Sequence, residues 1–82
     1  MNEFDFVKLC RQKVAEYYGL KHYSQKDIYV VWLCRTLQNS KALLSTNNPD
    51  GMYFECTYDG DKNKLYFDAY KHQKNIEFAL DK

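Results

Sequence analysis

The sequence predicts an α+β fold of two layers, in which one N-terminal amphipathic helix packs on a four-stranded antiparallel β-meander. Three observations support this prediction. Apolar residues recur at helical spacing over residues 3–18, β-branched and aromatic residues fill 28–37, and two alternating segments flank the Asp59-Gly60 turn. A chain of 82 residues is expected to form a single domain, 1–82.

The first predicted element is a helix over residues 3–18. Asn2 is placed to cap it, and the acidic residues of the first turn suit the positive end of the helix dipole. Gly19 is placed to end the helix in a left-handed conformation. The residues of the apolar stripe fall within an arc of about 120°. They are Phe6, Val7, Cys10, Val14, Tyr17 and Tyr18.

The strand predicted over residues 28–37 is the most apolar segment of the chain. Successive side chains of a strand point to opposite faces of the sheet. One set contains Ile28, Val30, Trp32 and Cys34, and the other contains Tyr29, Val31 and Leu33. Because both sets are apolar, we expect this strand to be covered on both faces.

Three shorter strands are predicted to follow, over residues 42–46, 52–58 and 64–70. The loop at 47–51 contains Pro-Asp-Gly, a turn sequence in which Gly51 is available for a positive φ. Alternation of apolar and polar residues in the last two strands predicts a hairpin.

Two segments carry weaker signals. Residues 20–26 are polar and are expected to form a connector. In the tail, 71–82, the alternation of Ile76, Phe78 and Leu80 fits a strand, while other spacings fit a short helix. We favour a helix or an irregular segment for the tail.

One short helix can cover one face of four strands, so the sequence predicts a second face without cover. We assign Val30, Trp32, Phe54, Cys56, Leu65 and Phe67 to the helix side. The candidate interface on the opposite face consists of Tyr29, Val31, Leu33, Arg35, Tyr53, Tyr66 and Tyr70. Tyrosine and arginine are enriched among the residues that dominate binding energy. Three interpretations stay open: the tail folds over this face, two copies form a homodimer through it, or a foreign partner binds there.

The composition weighs against several classes of function. A net charge of +1 supplies neither the basic stripe of a general nucleic-acid binder nor the acidity of a DNA mimic. No apolar run approaches the ~20 residues of a membrane span, and we expect no signal peptide. The spacing of Cys10, Cys34 and Cys56 forms no C-x-x-C motif, which predicts reduced thiols and a cytoplasmic protein.

Motifs for catalysis and metal binding are weak. Asp59, Asp61 and Asn63 match the opening of a calcium-binding loop, but Lys64 and Tyr70 then stand where glycine and glutamate are needed. A polar hairpin turn explains the same residues better. We therefore expect no metal and no cofactor.

The histidines and cysteines lead to the same expectation. His22 and His72 lack a second ligand at helical spacing, which favours solvated positions. Cys34 lies inside a predicted strand, where a thiol usually packs and does not react. No nucleophile motif or phosphate-binding loop is present, so the sequence predicts a protein that is not an enzyme.

Nucleic-acid or nucleotide binding is the alternative function. Tyrosines on a sheet can stack on bases, as in single-strand binders. The residues for such a platform are Tyr29, Tyr53, Tyr66 and Tyr70, with Arg35, Lys64 and Lys71 nearby. Glu55 and Asp68 lie on the same predicted face and would repel phosphates, so we favour contact with protein.

Three segments, D-I-Y-V-V-W-L-C-R-T-L-Q-N-S-K-A-L-L-S-T (27–46), D-G-M-Y-F-E-C-T-Y-D-G-D-K (50–62) and L-Y-F-D-A-Y-K (65–71), carry a resemblance. They resemble a family of short uncharacterised proteins encoded by phages and prophages of low-GC Gram-positive bacteria. The resemblance covers about half of the chain and assigns no catalytic or binding residues. It implies a small accessory protein of the bacterial host cytoplasm that binds a host component and redirects or blocks it.

Together, the residues and the resemblance predict a non-enzymatic phage accessory protein that acts by protein–protein interaction. We expect a homodimer and a host protein as a further partner, with inhibition of a host factor as one outcome. Nucleic acid is the weaker candidate partner, and no membrane partner is expected.

Overall fold

The computed structural model describes residues 1–19 and 27–80, and within them it shows one helix and four strands. In chain order these are α1 (Glu3–Tyr17), β1 (Ile28–Thr36), β2 (Asn39–Thr46), β3 (Met52–Asp59) and β4 (Lys64–Lys71). The strands form one antiparallel sheet in the order β1-β2-β3-β4. The predicted helix on a four-stranded meander is confirmed. The expected connector, 20–26, and the last two residues of the tail, 81–82, lie outside the described residues.

Helix α1 is closed at both ends by local hydrogen bonds. The Asn2 side chain accepts a hydrogen bond from the backbone N–H of Asp5 at 2.8 Å. At the other end, Gly19 has a φ of 72°, and its backbone N–H donates to the carbonyl of Glu16 at 2.9 Å. These contacts satisfy terminal groups that the helix itself leaves unpaired.

The core lies between α1 and one face of the sheet. Its buried apolar residues are Phe6, Cys10, Val14, Ala15, Ile28, Ala42, Leu44, Phe54 and Cys56. The ring of Phe54 is central, because it contacts the rings of Tyr17, Tyr18 and Phe67 at centroid distances of 5.1, 5.7 and 5.6 Å. Burial of this cluster is the main driving force for folding.

Two hairpin turns meet at one end of the sheet. Thr36 pairs with Asn39, so the β1–β2 turn has only two residues, and β2 starts three residues before the predicted Ala42. The backbone N–H of Gly60, in the β3–β4 turn, donates to Asn39 Oδ1 at 3.1 Å. A Cβ atom at Gly60 would overlap the backbone of Gln38. The close approach of the two turns therefore requires glycine at this position.

Strand β1 lies at the edge of the sheet, and the expectation that it is covered on both faces is wrong. Val31 and Trp32 are 45% and 41% exposed. Strands of a meander follow one another in the order of the sequence, so the first strand lies at an edge. Part of the apolar surface of β1 therefore remains accessible.

Candidate functional site

The sheet face opposite α1, which we call the open face, carries three rows of side chains across all four strands, and the pairs Thr36–Asn39 and Asp59–Lys64 lie on it next to the turns. Residues paired across strands project to the same face. The rows are Tyr29, Ser45, Tyr53 and Tyr70; Trp32, Leu43, Glu55 and Asp68; and Cys34, Lys41, Thr57 and Tyr66. Four of the seven candidate interface residues, Tyr29, Tyr53, Tyr66 and Tyr70, belong to these rows.

A β-bulge in β1 determines which of its side chains reach the open face. Val30 pairs with Leu44 and Trp32 pairs with Leu43, so Val31 is an extra residue between them. An extra residue shifts all later side chains of a strand to the opposite face. Trp32 therefore lies on the open face, although it was expected on the helix side.

The same bulge moves two candidate interface residues off the open face. Leu33 pairs with the buried Ala42 and packs against the core. Arg35 pairs with Ser40, and its Nη2 donates a hydrogen bond to the backbone carbonyl of Met1 at 2.8 Å. Their assignment to the open face is corrected: both lie on the side covered by α1.

Sequence reasoning missed Trp32 and Cys34 as residues of the open face. Both alternating sets of β1 are apolar around the bulge, so alternation alone does not define the register. The bulge follows from the strand lengths and the two-residue turn. Ile28 pairs with Thr46 and Thr36 pairs with Asn39, so the nine residues of β1 lie opposite the eight residues of β2. One residue of β1 must then be extra.

The open face exposes large apolar and aromatic side chains at both ends. Four of them, Tyr29, Trp32, Tyr66 and Tyr70, are 41–51% exposed, and Val31 at the bulge is 45% exposed. Tyr53 and Leu43 lie between them and are half-buried. Such a contiguous patch is typical of surfaces that contact another molecule.

The middle of the open face is acidic. Lys41 Nζ lies 3.5 Å from Glu55 Oε1, and the Glu55 side chain is 22% exposed. Asp68 is paired directly with Glu55 across β3 and β4. Like charges at directly opposed positions repel each other. With one lysine for two carboxylates, the centre of this face has a net negative charge.

A shallow concavity lies at the end of the open face where the tail begins. Its volume is about 340 Å³, and it is lined by Leu43, Tyr53, Tyr70, Lys71 and His72. The rings of Tyr53 and His72 meet edge to face at a centroid distance of 6.4 Å. The concavity is continuous with the aromatic row that contains Tyr53 and Tyr70.

The tail does not cover the open face in this structure. Residues 72–80 form neither helix nor strand, and each of them is exposed. This agrees with the expectation of an irregular segment. The interpretation in which the tail of the same chain buries this face is not what the structure shows.

Chemistry at the thiols is unfavourable where they are buried. Cys10 and Cys56 are fully buried in the core, while Cys34 is exposed on the open face. A hydrogen bond with the Cys56 thiol, followed by burial, raises the pKa of Cys10, so this thiol remains protonated. Within residues 1–19 and 27–80, no three metal-binding side chains come together. His22 lies outside the described part of the chain.

A hydrogen-bonded pair of titratable side chains, Tyr18 and Asp50, lies away from the open face, next to the β2–β3 loop. Tyr18 Oη donates a hydrogen bond to Asp50 Oδ2 at 2.6 Å, and Asp50 Oδ1 accepts one from the backbone N–H of Met52 at 3.1 Å. Burial and then this bond to Asp50 raise the pKa of Tyr18 to about 12. The bond from Tyr18 holds the pKa of Asp50 below its ordinary value. The pair ties the end of α1 to the loop.

Comparison with known proteins gives one match. The sequence profile of a family described as a family of unknown function (DUF6275) matches residues 7–80, which include all four strands and the described tail. No curated protein and no solved structure matches the chain. In the described residues, no helix is both long and apolar enough to span a membrane. The expected similarity to an uncharacterised family is confirmed.

Proposed function

Because the chain belongs to the DUF6275 family, whose function is unknown, we propose a function from its own surface. The protein is a small non-enzymatic module that binds another protein through the open face of its sheet. The observation that carries this proposal is the exposure of four large aromatic side chains on one face, Tyr29, Trp32, Tyr66 and Tyr70, each 41–51% accessible. Tyrosine and tryptophan supply large contact areas at low conformational cost and dominate many interfaces.

The setting that we propose is a phage or prophage accessory protein in the bacterial host cytoplasm, where it modulates or inhibits a host factor. This part rests on the resemblance of segments 27–46, 50–62 and 65–71 to short proteins of phages and prophages.

The charges of the open face favour a protein partner over a nucleic acid. Glu55 and Asp68 lie in the centre of the face and repel phosphates. Arg35, the arginine expected to contact phosphates, lies on the helix side and binds the carbonyl of Met1. Lys41 is the basic residue in the three rows, and its ammonium group is paired with Glu55. Lys64 is paired with Asp59 across β3 and β4, and Lys71 lines the concavity, so the tyrosines lie among charges of both signs and not along a basic groove.

The same charges define the chemistry of the partner. A matching surface is apolar or aromatic and carries one lysine or arginine that faces Asp68. Complementary charges suppress wrong partners and fix the register of a complex. The partner segment that we expect combines apolar residues at alternate positions with one basic residue.

Selection from a random peptide library on the immobilised chain tests the proposal. We expect enriched peptides with alternating apolar residues and a basic residue. Tyr66→Asp should weaken binding of these peptides by at least about tenfold, because it places a charge in the interface. The matched control is Phe4→Asp, which introduces the same charge at a 74% exposed residue of α1.

Two results would contradict the proposal. One is enrichment of no peptide above background; the other is equal binding of the enriched peptides to Tyr66→Asp and to Phe4→Asp. A labelled single-stranded oligonucleotide tests the alternative function. Binding that falls steeply as salt increases and is lost in Lys64→Ala would favour nucleic acid.

A further inference from the structure

The tail carries an apolar ladder that nothing covers in the described part of the chain. Ile76, Phe78 and Leu80 are 56%, 78% and 86% exposed. Their spacing of two residues places them on one side of an extended segment, together with Lys74. The other side carries Asn75, Glu77 and Ala79. One side of the tail is therefore apolar with a single cation at its start.

The open face has the complementary pattern. Tyr53 and Tyr70 lie on one side of Glu55 and Asp68, and Tyr66 lies on the other side. Lys41 offsets the charge of only one of these two carboxylates. A segment with one cation next to Asp68 and apolar side chains elsewhere would neutralise the remaining carboxylate and cover the aromatic side chains. The Lys74 side of the tail has this composition. Charge and apolar pattern thus match between two surfaces of the same sequence.

Direct packing of two open faces on each other would give a small interface with unpaired buried charge. Four strands of about eight residues give a face of roughly 500 Å², so two faces bury about 1,000 Å² in total. This area is close to the lower limit of about 1,000 Å² for a specific interface. Such a dimer also buries four carboxylates with two lysines, and unpaired buried charge is costly.

We propose that the open face of one copy binds the C-terminal segment, residues 74–80, of a second copy, and that the exchange is reciprocal. Lys74 of the segment faces Asp68. The apolar residues Ile76, Phe78 and Leu80 pack on the aromatic side chains of the open face. The inference rests on the proposed function and names one partner for the open face, a second copy of this chain. In this arrangement the contact area comes from the two tails, each laid on the open face of the other copy.

Geometry favours a second copy over the chain's own tail. Each residue of 72–80 is exposed, so the segment does not lie on its own open face. Residues 74–80 span about 20 Å when extended, and the four strands span about 14 Å between their axes. The segment is therefore long enough to cross the whole face of a partner.

The experiment measures the solution mass of the full chain by light scattering over a dilution series, together with the emission of Trp32. Trp32 is the single tryptophan of the sequence and is 41% exposed on the open face, so its emission reports on the face. We expect dimers that dissociate on dilution, with a red shift of the emission as the face is uncovered.

Two variants of the tail, each with a matched control, test the contact residues. Phe78→Asp and Lys74→Glu should each raise the dissociation constant of the dimer at least about tenfold, because each substitution is present in both exchanged tails of the dimer. Ala79→Asp and Glu77→Lys make the same kinds of change on the opposite side of the segment and should have little effect. Circular dichroism checks that each variant keeps its fold.

A charge exchange gives the most specific result. Asp68→Lys alone should weaken the dimer, and Asp68→Lys combined with Lys74→Glu should restore most of the lost affinity. A chain that is monomeric at all concentrations, or a dimer indifferent to Phe78→Asp, would overturn the inference. A monomer whose Trp32 emission shifts in Phe78→Asp would also overturn it, because the tail then covers its own face. Peptide selection on the open face tests the proposed function separately from these results.

Discussion

The two faces of the sheet are built from the same four strands, yet they have opposite properties. On the helix side, Ala42, Leu44, Phe54 and Cys56 are fully buried. The open face of the same strands carries the ion pair of Lys41 and Glu55, the carboxylate of Asp68 and exposed aromatic rings. Folding is driven by the first face, and the second face is available for binding.

This difference teaches that apolar content alone does not identify a core. The open face is rich in tyrosine, whose hydroxyl group tolerates water while its ring provides contact area. It also holds the like charges of Glu55 and Asp68 at directly opposed positions, which costs stability. A cost of this kind on a surface is understandable if a partner neutralises the charge.

The largest expected contrast is between an aromatic residue of each face. Phe54→Ala should lower the free energy of unfolding by about 3–5 kcal/mol, because it leaves a cavity in a fully buried ring cluster. Tyr66→Ala should change it by no more than about 0.5 kcal/mol. Urea titrations of both variants make the measurement, and similar losses would contradict the division into two faces.

The contact between the two turns gives the next effect. Gly60→Ala should cost about 1–3 kcal/mol, since the added Cβ overlaps the backbone of Gln38. Asp61→Ala in the same turn serves as the control and should be close to neutral. Thermal unfolding distinguishes them. A stable Gly60→Ala variant would mean that the two turns separate easily.

Substitutions around the bulge test the corrected register of β1. Leu33→Ala should lower the free energy of unfolding by about 1–2 kcal/mol, less than for a fully buried leucine, because Leu33 packs partly on the core. Cys34→Ala on the open face should be within about 0.5 kcal/mol of the unaltered chain. The opposite order in denaturant titrations would restore the simple alternation expected without a bulge.

The smallest effect is expected from the pair that joins α1 to the β2–β3 loop. Tyr18→Phe should cost about 0.5–1.5 kcal/mol through loss of the hydrogen bond to Asp50. Because the folded-state pKa of Asp50 is lowered, its contribution is present above its ordinary value of 3.8 and is lost as pH falls through the lowered pKa.

The raised pKa of Tyr18 gives the opposite dependence of stability on pH. Its contribution is complete below the ordinary value of 10.0 and is lost as pH rises through about 12. Stability measured against pH should therefore decline at both extremes in the unaltered chain. In Tyr18→Phe both declines should be smaller. Identical pH profiles for the two proteins would mean that the bond contributes nothing.

The fold class follows from signals that are local in sequence. The Asn2 cap, Gly19 and the two turn sequences at 47–51 and 59–60 define the element order, and antiparallel neighbours then follow from the short loops. These features act within a few residues, so the sequence alone is sufficient to predict them.

Membership of the open face was only partly predictable. Tyr53, Tyr66 and Tyr70 are expected there and lie there, since β3 and β4 alternate clearly, and Tyr29 also lies there because it precedes the bulge. Leu33 and Arg35 were assigned to the wrong face because the extra residue in β1 depends on pairing with β2. Around the bulge both alternating sets of β1 are apolar, so no polar residue next to Val31 reveals the shift.

The emission of Trp32 during titration with a library-selected peptide tests the central claim most directly, because this residue lies on the open face and is 41% exposed. We predict a saturable blue shift in the unaltered chain and in Phe4→Asp, and binding at least about tenfold weaker in Tyr66→Asp. A bound peptide that leaves the emission of Trp32 unchanged, or that binds Tyr66→Asp equally well, would show that the binding surface lies elsewhere.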